Sequence, residues 1–177
     1  MAEHNEYYVY FNKDKSYYTS YNVENNRFNV SDIAPETYYP KLYNFKEKKF
    51  TENIEMDKKY VIEHQTIPKW TITNGTKEIS GYLCIKAEGI LKDYSDPKTS
   101  FKVEAWFTPE VAFPIGPNRL VNLPGAVVYA VIENYLVFKL EKIVFNENSI
   151  DLDNIQLKEV KINLQEYVDY LDQKYSY

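Results

Sequence analysis

The residues that could do chemistry are few enough to weigh one group at a time. The chain holds two histidines, His4 and His64, and one cysteine, Cys84. With His4 so near the start, an imidazole mechanism rests on His64. A Cys84–His64 nucleophile and base would let the imidazole draw off the thiol proton if the two stand on neighbouring strands. No third group that would orient the ring is marked, and the plainer reading is a small buried thiol and a strand histidine. Glu104 and Glu110 flank Trp106 and are candidates for the carboxylate pair of a glycoside hydrolase. Alternation sets Glu104 on the face of Trp106, whereas Glu110 follows Pro109 in a loop. Asp151 and Asp153 could share a cation, or could decorate a solvated turn. The sequence has no cysteine pair or histidine pair at ligand spacing, no phosphate-cradling glycine loop and no Gly-x-Ser-x-Gly elbow. The expectation is a protein that is not an enzyme and has no metal or other cofactor.

Aromatic residues are the second candidate for function. Tyrosine occurs 18 times, about three times its usual share, and Tyr7, Tyr8, Tyr10, Tyr17, Tyr18 and Tyr21 crowd the beginning of the chain. Tyrosine suits a half-buried pleated surface, packing its ring while its hydroxyl stays in water. The same rings could form a platform for a flat ligand or a docking surface for a partner. The candidate ligand or partner surface is Trp70, Tyr82 and Trp106, with Tyr8, Tyr10 and Tyr18.

These residues need a scaffold, and the composition says which kind. At 177 residues, 44% apolar and 27% charged, the chain fits one globular domain, 1–177, able to bury a sizeable core. A net charge of −5 with only Arg27 and Arg119 as arginines argues against nucleic acid and against an anionic membrane surface. The longest apolar run, Ala126 to Ile132, has the length of a strand and not of a membrane span. The opening Met1-Ala2-Glu3-His4-Asn5-Glu6 has neither a basic head nor an apolar stretch, so the sequence predicts a cytoplasmic protein or one whose leader has been removed.

Period-two alternation dominates the chain. It predicts strands near Tyr7 to Phe11, Tyr17 to Tyr21, Arg27 to Val30, Phe50 to Met56 and Tyr60 to His64, with a loop near Ala34 to Pro40. Asn74-Gly75 predicts a hairpin between Trp70-Thr71-Ile72 and a strand from Lys77 to Ala87, with Cys84 across the sheet from the more apolar stripe of Ile79, Leu83 and Ile85. A loop over Lys92 to Ser100 leads to the Phe101 to Phe107 strand. Pro109 to Gly125 is irregular, Ala126 to Ile132 reads as a central strand covered on both faces, and a turn at Glu133-Asn134 leads to a strand over Tyr135 to Val144. Ile155 to Ile162 is a further strand. Asn163 and Glu166 form a capping box for a helix whose apolar stripe is Leu164, Tyr167, Val168, Leu171 and Tyr175. The fold class is mainly β: a curved antiparallel sheet, half-barrel or open barrel, with a short C-terminal helix.

Several pieces of this text, in order, carry a family resemblance. They are Lys69-Trp70-Thr71-Ile72, Thr76-Lys77-Glu78-Ile79 with Gly81-Tyr82 and Cys84 to Ala87, then Ala105 to Glu110, Gly116-Pro117 and Leu123-Pro124-Gly125. Together they resemble the GLPGLI family of small envelope proteins of Bacteroidota-type bacteria, over a core at about 58–146. The hexapeptide that names the family reads Asn122-Leu123-Pro124-Gly125-Ala126-Val127 here. Asn replaces the first Gly, which the backbone can allow because Asn tolerates positive φ. The resemblance implies an exported, periplasmic or secreted protein and carries no activity. The expected function is a non-catalytic envelope protein binding an apolar small molecule or an extended peptide on its curved sheet. The alternative is an assembly partner in an envelope protein complex, and a hydrolase is the third reading.

Overall fold

The computed structural model describes residues 6–22, 27–28, 40–93, 96, 98–133, 136–145, 150–155 and 160–175. Its strands, in chain order, are β1 (Tyr8–Phe11), β2 (Lys15–Thr19), β3 (Tyr21–Asn22), β4 (Arg27–Phe28), β5 (Lys41–Asn44), β6 (Lys49–Glu55), β7 (Lys59–His64), β8 (Lys69–Ile79), β9 (Tyr82–Lys92), β10 (Ser100–Thr108), β11 (Ala126–Ile132), β12 (Leu136–Lys139) and β13 (Val160–Lys161), followed by one helix, α1 (Leu164–Tyr175). The fold is mainly β with a short C-terminal helix, as the alternation and the capping box lead one to expect. The expected loop over Ala34 to Pro40 falls, save for Pro40, outside the described residues, as do parts of the expected strands at Arg27 to Val30 and Ile155 to Ile162 and of the turn at Glu133-Asn134.

The described residues group into two compact units. One lies within Met1–Gln65, Tyr94–Asp96 and Asn148–Tyr177, the other within Thr66–Asp93 and Pro97–Glu147. The first unit holds a sheet in the order β1-β2-β5-β6-β7-β13, and the second a sheet in the order β12-β11-β10-β9-β8. Neither order closes on itself, so no barrel forms among the described residues. β3 pairs with β4 in a small separate ribbon.

In the first unit all neighbours run antiparallel except β13, which joins β7 in parallel. One face of this sheet is buried: Tyr18, Tyr43, Phe50, Ile54 and Ile62 lie there with 2% exposure or less. The helix caps one end of that face, with Leu164 and Tyr167 against Ile54 and Ile62. Its start is satisfied reciprocally, because the Asn163 amide donates to the Glu166 carboxylate at 2.8 Å and the Glu166 amide donates to the Asn163 side-chain oxygen at 2.9 Å.

In the second unit the hairpin lies elsewhere than the Asn-Gly pair suggests. β8 runs unbroken from Lys69 to Ile79, Asn74-Gly75 sits in a register shift between Ile72 and Thr76, and the chain turns at Ser80-Gly81, both at positive φ. The shift is braced by Thr73, whose hydroxyl accepts from the Gly75 amide and donates to the Lys86 carbonyl, each at 3.3 Å. Absorbing the Asn-Gly pair as a bulge lets two long strands pair over nearly their whole lengths. β11 stands second from the edge, between β10 and β12, and not at the centre; β12 ends at Lys139, short of the expected Val144.

The Pro109 to Gly125 segment is the second unit's core filler. Val111, Ile115, Leu120, Val121 and Leu123 are all buried, and the Val127 amide ties the segment to the sheet through the Ile115 carbonyl. Close approach explains its glycines: a Cβ on Gly116 would collide with the Leu120 carbonyl oxygen, and one on Gly125 with the Thr108 carbonyl oxygen. Asn122 adopts φ 69°, which asparagine tolerates better than other residues with a side chain.

Candidate functional site

Alternation sorts the second sheet into two faces, and register tells which residues share them. Trp70 pairs with Gly89 on β9, where a Cβ would meet the indole at 2.9 Å. Its ring nitrogen donates to the Val121 carbonyl at 2.8 Å. Trp70 therefore anchors the Pro109 to Gly125 segment on the covered face. Trp106 lies on the opposite face, two strands away, with Lys86 and Tyr129 beside it. The two tryptophans do not share a site.

Around Trp106 the open face is organised by charge. The indole nitrogen donates to Glu104 at 2.8 Å, and Lys86 bridges Glu104 at 3.0 Å and Glu88 at 2.7 Å. The Trp106 hydrogen bond, then the Lys86 hydrogen bond, hold the Glu104 carboxyl below its ordinary value. Lys77 places its ammonium 3.9 Å from the centre of the Trp106 ring, which leaves the indole 8% exposed. Trp106 is thus a covered ring and not a bare stacking platform. Tyr82, Tyr129, Ile79 and Leu140 complete the cluster around Cys84, Trp106 and Val128.

The reactive groups weighed from the sequence are placed by these contacts. Cys84 belongs to the Trp106 cluster with 0% exposure and lies, as expected, across the sheet from Leu83 and Ile85, but Ile79, expected on their stripe, packs on the Cys84 side, and Leu83 is the exposed residue, at 59%. Burial pushes its thiol pKa up, away from the thiolate a nucleophile needs. His64 belongs to the other unit and to another sheet, so the two are not on neighbouring strands. Glu110 accepts from the Leu83 amide at 3.0 Å. Asp151 holds a turn by accepting from the Asp153 amide and the Asn154 side chain, and Asp153 bridges Lys15 at 2.9 Å.

In the first unit the tyrosines divide as well. Tyr8 and Tyr10 stack with ring centres 6.4 Å apart and are half-buried, while Tyr18 lies on the opposite face, buried and stacked on Tyr7 at 5.4 Å.

That buried face holds a charged cluster. Lys41 and Glu52 face each other across β5 and β6, their charged groups 2.8 Å apart with side-chain exposures of 1% and 0%. The second Glu52 oxygen lies 3.0 Å from His64 Nε2. Burial alone would push Glu52 up; the Lys41 ammonium and the His64 ring outweigh it and leave the carboxyl below its ordinary value. Phe50 stacks on His64 at 5.3 Å, and the Lys41 ammonium sits 5.7 Å from the Tyr18 ring centre. Burial, then the neighbouring Tyr7 and Glu52, raise the Tyr18 hydroxyl well above its ordinary value. Tyr43, pushed up to about 12 by burial, keeps its hydroxyl without a hydrogen-bond partner. The cluster is buried and neutralised, which is the condition of a structural network rather than of a site that meets substrate.

No protein-family model matches the chain, and no curated protein matches it. Among solved structures, two crystal forms of PNGF-II share the fold. The form in space group P21 superposes with a TM-score of 0.57 and the C2 form with 0.55, both at 18% identity, and each match covers 90% of this chain. The chain spans about 28% of the length of the protein it matches. At that identity the likeness is one of fold.

Proposed function

We propose that the chain is a non-catalytic binding module of an exported, periplasmic or secreted envelope protein, and that it holds an extended peptide segment of a partner on the open face of its second sheet. The observation that carries this reading is the contrast between the two faces. One is filled around Trp70 by the chain's own Leu120, Val121 and Leu123, each at most 1% exposed, and leaves Ile72 and Leu83 exposed at 50% and 59% only beyond that filling. The other presents Ile90 and Val137 to water at 45% and 63% exposure. An apolar small molecule needs an unfilled apolar face, which the first is not around Trp70, whereas an extended segment can be laid across the exposed side chains of the second. A fold shared with a portion of the longer PNGF-II suits a module that serves a larger assembly. Catalysis is set aside because Cys84, Glu104 and His64 are each committed to internal contacts, and the envelope address follows the GLPGLI resemblance. No helix among the described residues is long and apolar enough to cross a membrane.

The test is a photo-cross-linking side chain placed at Ile90 in cells that make the protein, with Val160, exposed on the first unit, as the control position. A discrete protein adduct from Ile90 alone, recovered in the periplasmic or secreted fraction, is the expected result. Adducts from neither position, or equally from both, would reject this face as a binding surface.

A further inference from the structure

The open face of the second sheet carries a charge opposite in sign to that of the chain. Followed from one end to the other, Lys92 comes first, and then Lys69 and Lys102 flank Ile90 across the three strands. Glu104 pairs with Glu88 on one side and with Val131 on the other, and Val137 lies beyond Val131. Lys86 and Lys139 lie outside Trp106 and Tyr129 in the next row, and Lys77 pairs with Cys84 after that. Six lysines against three glutamates, the third being Glu133, whose amide donates to the Lys102 carbonyl opposite it at 2.9 Å, leave a surplus of three positive charges on this face, in a chain whose net charge is −5. Glu88 and Glu104 are both engaged by the same lysine, Lys86, so the surplus sits on the lysines toward the two ends of the face. Ile90 stands exposed between Lys69 and Lys102, and Val137 stands exposed beside Val131 on the far edge strand, with Glu104 of β10 and Val131 of β11 between the two.

Separate apolar side chains set among a surplus of cations match an interface with an extended, charged partner segment. The face does not match a sugar platform, since the Trp106 ring is covered by Lys77. It does not match a phosphate site, since the face has no arginine fork. We propose that the occupant of this face is an acidic protein segment, with carboxylates reaching Lys69 and Lys102 at one end and Lys77 and Lys139 at the other, and with separate apolar side chains set down on Ile90 and on Val137. The proposal rests on the binding reading above and adds the chemistry of the partner.

The full chain is titrated by fluorescence anisotropy against three labelled peptides, alternating Glu-Val, Thr-Val and Lys-Val, and against heparin. The Glu-Val peptide should bind at least about tenfold more tightly than the Thr-Val peptide, with an advantage that shrinks as salt rises, because rim charges act through screened attraction. The Lys69→Glu, Lys102→Glu double variant should lose that advantage, while Lys13→Glu with Lys46→Glu, exposed in the other unit, should retain it. All four positions are exposed, and circular dichroism confirms that the variants fold. Equal binding of Glu-Val and Thr-Val, lost in Val137→Asp, would overturn the acidic partner and keep the binding reading. Failure of every peptide would overturn both. Glu-Val binding unchanged in Lys69→Glu, Lys102→Glu would place the peptide elsewhere and overturn the proposal, and heparin binding more tightly than Glu-Val would assign the face to an anionic glycan instead.

Discussion

Lys41 and Glu52 are charges held where water barely reaches, and each is tolerated because the other is there. Removing one partner from such a pair leaves an uncompensated buried charge, which costs about 3–5 kcal/mol, whereas replacing both by apolar side chains of similar volume is often close to neutral. Lys41→Met should therefore destabilise the protein more than Lys41→Met combined with Glu52→Leu, and urea unfolding of the two variants checks the order. The pH dependence has a definite sign. Glu52 is depressed in the folded state, so its contribution is full above the unfolded carboxyl value of about 4.3 and is lost as pH falls toward and through the folded value. Glu52→Gln should flatten the acid limb of the stability profile. Of this cluster the sequence singles out His64 and Tyr18 and neither Lys41 nor Glu52. Lys41 alternates with Tyr43, and Glu52 with Phe50 and Ile54, so both charges stand at core-facing positions. That signal is legible only once β5 and β6 are known to pair, and β5, four residues long, is too short for its alternation to stand out.

At the scale of elements, the β8–β9 hairpin separates local propensity from the pairing that wins. Asn74-Gly75 has the composition of a tight turn, yet neither residue adopts positive φ, while Ser80 and Gly81 do, at 52° and 81°. A β-branched residue forced into the left-handed region costs about 1–2 kcal/mol. Gly81→Val should therefore lower stability by that amount. Asn74→Thr, on an exposed strand position, should stay within about 0.5 kcal/mol. A hairpin centred on Asn74-Gly75 would reverse the ranking, and the urea midpoints of the two variants decide it. The strands that sequence located best were those with sustained alternation, Phe101 to Phe107 and Ala126 to Ile132, and the helix was legible from its capping box. Facing was less so. Cys84 is buried by Trp106, Val128 and Leu140 and Leu83 is exposed on the opposite face, because what covers each residue comes from segments distant in sequence, which leave no period to read.

Across the whole molecule, the two units differ in how the chain builds them. The second is made by one nearly continuous stretch, with all five strands of its sheet and the segment that fills its core inside Thr66 to Glu147. The first draws on both ends of the chain, since β13 extends its sheet and α1 covers Ile54 and Ile62. The sequence reads as one domain because no change of composition marks a linker, and contact between distant segments leaves no local trace. Local closure predicts that a fragment spanning Thr66 to Glu147 folds alone. Both tryptophans of the protein, Trp70 and Trp106, lie in it, one in each face, so their emission reports on that unit without interference. The fragment should show a single cooperative urea transition in tryptophan fluorescence, with Trp70→Phe and Trp106→Phe reporting the same midpoint shift for covered and open faces. A fragment ending at Gln65, lacking the strand and helix that cover Ile54 and Ile62, should unfold without a cooperative transition. If the Thr66 to Glu147 fragment melts gradually instead, its sheet depends on the rest of the chain, and the 177 residues fold as one unit.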